Sequence, residues 1–257
     1  MQLREKANRF RGLHVPGRPF VLFNIWDAGS AKVVADAGAA ALATGSWSVA
    51  AAHGFEDGEQ LPLSLALDNA RRIAGSTDLP VSLDVESGYG TDAATVGHTI
   101  GLAAGTGVVG FNLEDSVPGS GTLHSREAQV ARIRSARQAA DEAAKGLFLN
   151  ARTDVFLSTS GDDCDDARLN ETVARGHAYA DAGADGLFVP GLVAPEIIER
   201  LVRAVSLPVN VMIVNAAQSH GELASLGVAR ISYGPMPYAL AMRALSDAAR
   251  RALDMAE

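Results

Sequence analysis

The residues best placed to do chemistry are Asp84 and Glu86, in the run VSLDVESGYG at positions 81–90. Val81, Leu83 and Val85 alternate with Ser82, Asp84 and Glu86, the period-2 pattern of a short strand. Side chains two apart on a strand share a face, so the two carboxylates are expected to point the same way. Paired carboxylates repel each other unless a proton or cation lies between them. Oxygen-only donors of this kind suit a hard divalent metal. Ser87-Gly88-Tyr89-Gly90 then ends the strand with residues that permit tight backbone geometry.

The elements that must position this pair recur along the chain. Helical segments meet a Gly-containing joint and then an apolar strand at ADAGAAALATG (35–45), AAGTGVVGFNLED (104–115) and YADAGADGLFVPG (179–191). Leu-Pro opens two further strands, at STDLPVSLDVE (76–86) and VSLPVNVMIV (205–214). The pattern predicts eight strands, at about 20–26, 40–45, 80–86, 108–114, 147–152, 185–190, 207–214 and 228–233. Helical patterns lie between them, notably 61–75, 126–145, 167–182, 194–205 and 237–255. Near-continuous apolar strands imply a sheet buried on both faces. Eight βα units in 257 residues predict an α/β fold of the (β/α)8 TIM-barrel type, with a doubly wound open sheet as the alternative. No linker or composition shift divides the chain, so residues 1–257 read as one barrel domain, with 1–19 a helical lead-in and 237–257 a closing helix. Gly105, Gly107 and Gly110 spell a dinucleotide fingerprint, but a helix precedes and a strand follows, the reverse of what nucleotide binding needs.

Barrel enzymes carry their sites at the C-terminal ends of the strands. Those ends here supply Asn24, Asp27, Ser46, Trp47, Asp84, Glu86, Asn112, Glu114, Asp115, Asn150, Arg152, Asp154, Asn210, Asn215 and Tyr233. Carboxylates from several strand ends around Arg152 describe a Mg2+ or Mn2+ site beside an anion clamp, since arginine grips a carboxylate with two parallel hydrogen bonds. An ion pair between Arg152 and Glu114 on the neighbouring strand is the competing role. SYGPMP, after the last strand, offers one glycine and two prolines, which is no phosphate cradle.

A net charge of −8 without a Lys/Arg block argues against nucleic-acid or anionic-membrane partners, and leaves a small carboxylate substrate open. The single cysteine, Cys164, excludes an intrachain disulfide and a cysteine-based zinc site. No apolar leader or membrane-length run is visible, so a soluble, cytoplasmic protein is expected.

The runs GSWSVAAAHGFEDGE, LDVESGYG, FNLED and NARTD together resemble the isocitrate lyase and phosphoenolpyruvate mutase superfamily over roughly residues 17–235. The resemblance implies a barrel that binds Mg2+ and an α-oxo acid or its enolate. It also implies a homo-oligomer, a dimer or tetramer, in which the last helix is exchanged between subunits. By the same resemblance Asp84 is the direct metal ligand, and Asp57, Glu86 and Glu114 hold the metal's waters. Arg152 binds the substrate carboxylate, and the Ser46 and Trp47 amides face its oxygens.

Departures narrow the reaction. The tricarboxylate lyases carry a Lys-Lys/Arg-Cys-Gly-His run in the loop after strand 4, whereas residues 116–129 read SVPGSGTLHSREAQ. The Lys and Asn of the phosphonomutase branch are missing too. His124 is the remaining acid/base candidate of that loop, with an ordinary pKa near ~6.5. The expectation is a Mg2+-dependent carbon–carbon lyase of a small α-oxo or α-hydroxy di-acid, with oxaloacetate decarboxylation the simplest case and isocitrate or methylisocitrate cleavage set aside. Phosphonopyruvate hydrolase or phosphonomutase chemistry is the alternative, as is a barrel that binds α-oxo acids without turnover.

Overall fold

The computed structural model describes residues 2–158, 165–214 and 218–254. Its strands are β1 (Phe20–Leu22), β2 (Leu42–Ala43), β3 (Val81–Asp84), β4 (Gly110–Glu114), β5 (Ser116–Val117), β6 (Thr122–Leu123), β7 (Phe148–Arg152), β8 (Gly186–Val189), β9 (Val209–Met212) and β10 (Arg230–Ser232). Its helices are α1 (Leu3–Gly12), α2 (Ala28–Asp36), α3 (Ser46–Ala52), α4 (Leu63–Gly75), α5 (Ala93–Ala104), α6 (Arg126–Ala143), α7 (Val155–Ser158), α8 (Asp165–Asp181), α9 (Pro195–Ala204), α10 (His220–Ser225) and α11 (Met236–Asp254).

Eight strands form one parallel sheet in the order β1-β10-β9-β8-β7-β4-β3-β2. A parallel bridge between Ile25 and Thr44 joins its two ends. That bridge excludes the open-sheet alternative, and the fold is a nearly closed (β/α)8 barrel. Each barrel strand lies inside its expected window. Sequence reading did not foresee the β5–β6 hairpin, nor that Ser46 opens a helix. Cys164 and Asn215 lie outside the described residues.

An aromatic plug closes the N-terminal end of the barrel. Phe10 of α1 is fully buried and meets Phe20 and Phe148 edge-on, while His14 stacks on Phe148 with ring centroids 3.9 Å apart. Each such pair contributes ~0.5–1.5 kcal/mol beyond the burial of its area. Gly110 makes this possible, because a Cβ there would lie 2.8 Å from the Phe10 ring. That third glycine of the apparent nucleotide fingerprint therefore serves packing.

The far end of the chain is packed differently. Tyr238 anchors the start of α11 edge-on against Trp26 and Trp47. From Met242 to Leu253 every residue of α11 is exposed, including Leu245 and Leu253. A helix wet on all faces has no packing partner in its own barrel. Among the described residues no helix is long and apolar enough to cross a membrane.

Candidate active site

The C-terminal ends of the strands surround a cavity of about 200 Å3. Among the residues expected from sequence, Ser46, Trp47, Asp57, Asp84 and Arg152 line it. Glu86, Glu114, His124 and Asn210 do not.

Asp84 ends β3, and three N–H donors fix its carboxylate. The Ser46 amide donates to Oδ2 at 3.1 Å, the Asn112 side-chain amide to Oδ1 at 3.2 Å, and the Glu86 amide to Oδ1 at 3.3 Å. The Ser46 amide is thus directed to Asp84 and not to open cavity. The Asp84 amide in turn donates to Thr44 Oγ1 at 2.9 Å, tying β3 to the end of β2. Asn24 joins the remaining strand ends: its amide donates to the Thr44 carbonyl, and its Oδ1 accepts from Tyr233 and Gly234.

Glu86 stands beside Asp84, but its backbone departs from the strand. Its φ is +51°, a left-handed backbone that breaks the strand's period. The side chain therefore leaves the cavity wall for a niche shared with Glu59 and Tyr89, which have φ of +63° and +56°. The three interlock: Glu59 N–H donates to Glu86 Oε2, Tyr89 N–H to Glu59 Oε1, and Tyr89 O–H to Glu86 Oε1. Arg132, 1% exposed, pins the adjoining turn by donating to the Ser87, Gly90 and Thr91 carbonyls from α6.

Burial, and then the Asp84 charge, push the Glu86 carboxyl up to about 7 and raise Asp57 as well. Burial likewise raises Glu59. These are buried oxygen donors crowded together, which is the environment a hard divalent cation relieves. No cluster of three His, Cys, Asp or Glu side chains spaced to hold a metal directly occurs among the described residues. Oxygen donors of this kind fit a cation that keeps most of its waters, as Mg2+ does.

Arg152 makes the ion pair with Glu114 that was the competing expectation, and it also faces the cavity. Nη1 pairs with Glu114 at 2.7 Å while Nε and Nη2 grip Asp154 at 2.6 and 2.8 Å. Burial opposes its charge, and the two carboxylates outweigh that and hold it protonated. Burial raises Glu114, against the pull of Arg152. Asp115, fully buried, accepts from Arg175 at 2.9 Å, Tyr179 at 2.7 Å and the Asp154 amide at 3.0 Å. This network sets the position of Asp154 and so of Arg152.

His124 borders that network, its carbonyl accepting from Arg175 at 3.0 Å. Its backbone N–H donates to the Asp115 carbonyl at 2.8 Å, and burial followed by the Arg132 charge lowers its imidazole pKa. Asn210 braces the barrel interior, donating to the Val211 and Arg230 carbonyls.

The charged cavity residue that sequence reading missed is Arg230. It opens β10, is 3% exposed, and lines the cavity with Ser232. Its signal was a cation inside the apolar run VARIS, which a reading confined to strand ends passes over.

The phosphoenolpyruvate phosphomutase family profile matches residues 10–253. A solved structure from Burkholderia cenocepacia J2315, provisionally called a phosphonomutase, is 52% identical with a TM-score of 0.95, covering 98% of this chain and 100% of that one. An uncharacterized protein of Mycobacterium tuberculosis H37Rv is 33% identical over 245 residues, 95% of this chain and 89% of its own. Oxaloacetate decarboxylase of Pseudomonas entomophila is 30% identical over 252 residues, 94% of this chain and 82% of its own. With this site on this barrel, the chain belongs to the phosphoenolpyruvate phosphomutase family, within the isocitrate lyase and phosphoenolpyruvate mutase superfamily.

Proposed function

We propose that the protein is a Mg2+-dependent carbon–carbon lyase acting on a small α-oxo or α-hydroxy di-acid through an enolate, with oxaloacetate decarboxylation as its simplest case. The observation that carries this reading is one cavity of about 200 Å3 that sets an acidic edge, Asp57 and Asp84, against the Arg152 guanidinium. The kinship with an oxaloacetate decarboxylase along 94% of the chain supports it.

Asp84 would hold Mg2+, or Mn2+ in its place, with Asp57, Glu86 and Glu114 on its waters. Bound there, the ion supplies Lewis-acid stabilisation of enolate charge, worth several kcal/mol. Arg152 stays charged and keeps N–H groups free of Glu114 and Asp154 for a substrate carboxylate. Ser46 and Trp47 form the wall beside Asp84, and Leu157, Phe188 and Pro190 supply apolar wall that limits water. With oxaloacetate the C3–C4 bond breaks, C4 leaves as CO2, and the electron pair it leaves behind forms the enolate. C3 then takes a proton to give pyruvate. His124 is the proposed donor, and to reach the cavity the β5–β6 hairpin has to shift. The exposed apolar residues of α11 suit pairing with a second copy, as a dimer or tetramer, and we place the assembly in the cytoplasm.

A second reading, carbon–phosphorus chemistry on phosphonopyruvate, is favoured by the 52% identity to the protein provisionally called a phosphonomutase. One experiment separates the readings: pyruvate release from oxaloacetate with Mg2+, for wild type and Asp84→Ala, corrected for the metal-only rate. Saturable turnover lost in Asp84→Ala, and reduced in His124→Ala, is the expected result. Turnover of phosphonopyruvate alone, followed by phosphorus NMR, would transfer the assignment to the second reading. A melting temperature raised by oxalate and Mg2+ with no turnover of either compound would mark a binding barrel.

A further inference from the structure

Charge around the cavity is distributed unevenly between its two arginines. Arg152 is met by two carboxylates at 2.6–2.8 Å, so much of its charge is already answered. Arg230 has no such partner. Its Nε and Nη1 are buried and lack any hydrogen-bond partner among the described residues. Asp84, across the cavity, is its one favourable charge, and burial pulls its pKa down to about 9. His14, the titratable group beneath it, is held neutral by burial and by the Arg230 charge itself.

A buried guanidinium with unused donors works against folding, and a barrel selected for stability alone would place an apolar side chain there. Its position explains what it is for. Arg230 is the first residue of β10 and pairs with Phe20, the first residue of β1, so its Cα lies at the N-terminal end of the barrel. Arg230 and Ser232 share the inward face two residues apart, and both line the cavity that Asp84 and Arg152 bound from the C-terminal side. A ligand whose one end occupies Asp84 and Arg152 therefore projects its other end toward Arg230.

We propose that Arg230 determines specificity: its guanidinium takes the second anionic group of a two-ended substrate, a carboxylate or a phosphonate. The proposal rests on the reading above, in which the α-oxo or α-hydroxy acid end binds at Asp84 and Arg152. A one-ended acid leaves Arg230 unanswered and is bound more weakly for that reason.

The test is calorimetric titration in Mg2+ buffer with lactate, malate and 3-phosphonolactate, which share one α-hydroxy acid head, and with oxalate as a head-only probe. Wild type should bind malate or 3-phosphonolactate at least ~10-fold tighter than lactate, and which of the two is favoured identifies the second group. Arg230→Met should erase that preference, keep oxalate affinity within about twofold, and melt no lower than wild type without ligand. Arg230→Lys should retain part of the preference, and it carries the comparison if Arg230→Met does not fold. A wild type that does not distinguish malate and 3-phosphonolactate from lactate overturns the proposal, as does a preference that survives Arg230→Met or is unchanged in Arg230→Lys. A wild type that binds oxalate while failing this comparison leaves the proposed function standing. One that binds none of the four ligands takes both down together.

Discussion

His14 should make this barrel sensitive to mild acid. The ring is 8% exposed, packed among Phe10, Phe20 and Phe148, and its Nδ1 donates to the Phe10 carbonyl at 2.9 Å. Nε2 is buried without a partner, so a second proton has nowhere favourable to go. Burial, then the charge of Arg230, lowers the folded-state pKa from 6.5 to about 3. The sign follows from which state takes the proton. Between about 3 and 6.5 the unfolded chain binds it and the folded chain does not. Stability from this group is therefore complete above 6.5 and drains away as pH falls. From pH 7 to pH 5 the loss amounts to about 2 kcal/mol. His14→Asn keeps an N–H donor for the Phe10 carbonyl but cannot ionise, so it should lack this component. Urea midpoints for both proteins at the two pH values isolate it, since all other titrating groups cancel. With a slope of about 3 kcal/mol/M, wild type should lose about 0.7 M more than His14→Asn. Equal losses would refute the reasoning. Arg230→Met should raise the folded-state pKa of His14 and so move up the acid end of this window, because it removes one of the charges that depresses His14.

Three further outcomes are expected. Tyr179→Phe removes one of the hydrogen bonds to the fully buried Asp115 carboxylate and should cost about 1.5–3 kcal/mol, read as a lowered urea midpoint. Arg132→Met frees the Ser87, Gly90 and Thr91 carbonyls at once, and should destabilise by at least about 3 kcal/mol while making the turn after β3 sensitive to limited proteolysis. Leu245→Glu with Leu253→Glu changes two exposed apolar residues of α11 and should leave far-ultraviolet circular dichroism intact while lowering the mass measured by light scattering.

The barrel was legible because its strands are short apolar runs entered by Leu-Pro or by glycine joints, a pattern that survives without tertiary information. Asp84 and Arg152 were legible because strand ends are where a barrel keeps its polar groups. Glu86 stands back from the cavity wall for a local reason. Alternation holds only while φ stays negative, and nothing in DVESG announces that the left-handed residue is the glutamate as well as Gly88. Arg230 was hidden by the opposite fault, since a charge inside an apolar run carries no rule about which way it faces. The paired fate of Arg152 was anticipated for Glu114 alone; Asp154, two residues along the same chain, makes the bidentate contact.

The interlock of Glu59, Glu86 and Tyr89 also constrains how this sequence can change. Each residue holds a backbone conformation that L-amino acids avoid, at ~1–2 kcal/mol, and each shares at least one hydrogen bond with another of the three. Glycine at any one of them would relax that residue and at the same time strip its neighbours of the side chain that restrains them. The effects of single substitutions should then fail to add, with coupling of ~0.5–3 kcal/mol in a double-mutant cycle. Such a trio has no smooth path of one-step replacements leading away from it, and so these positions drift together or stay as they are.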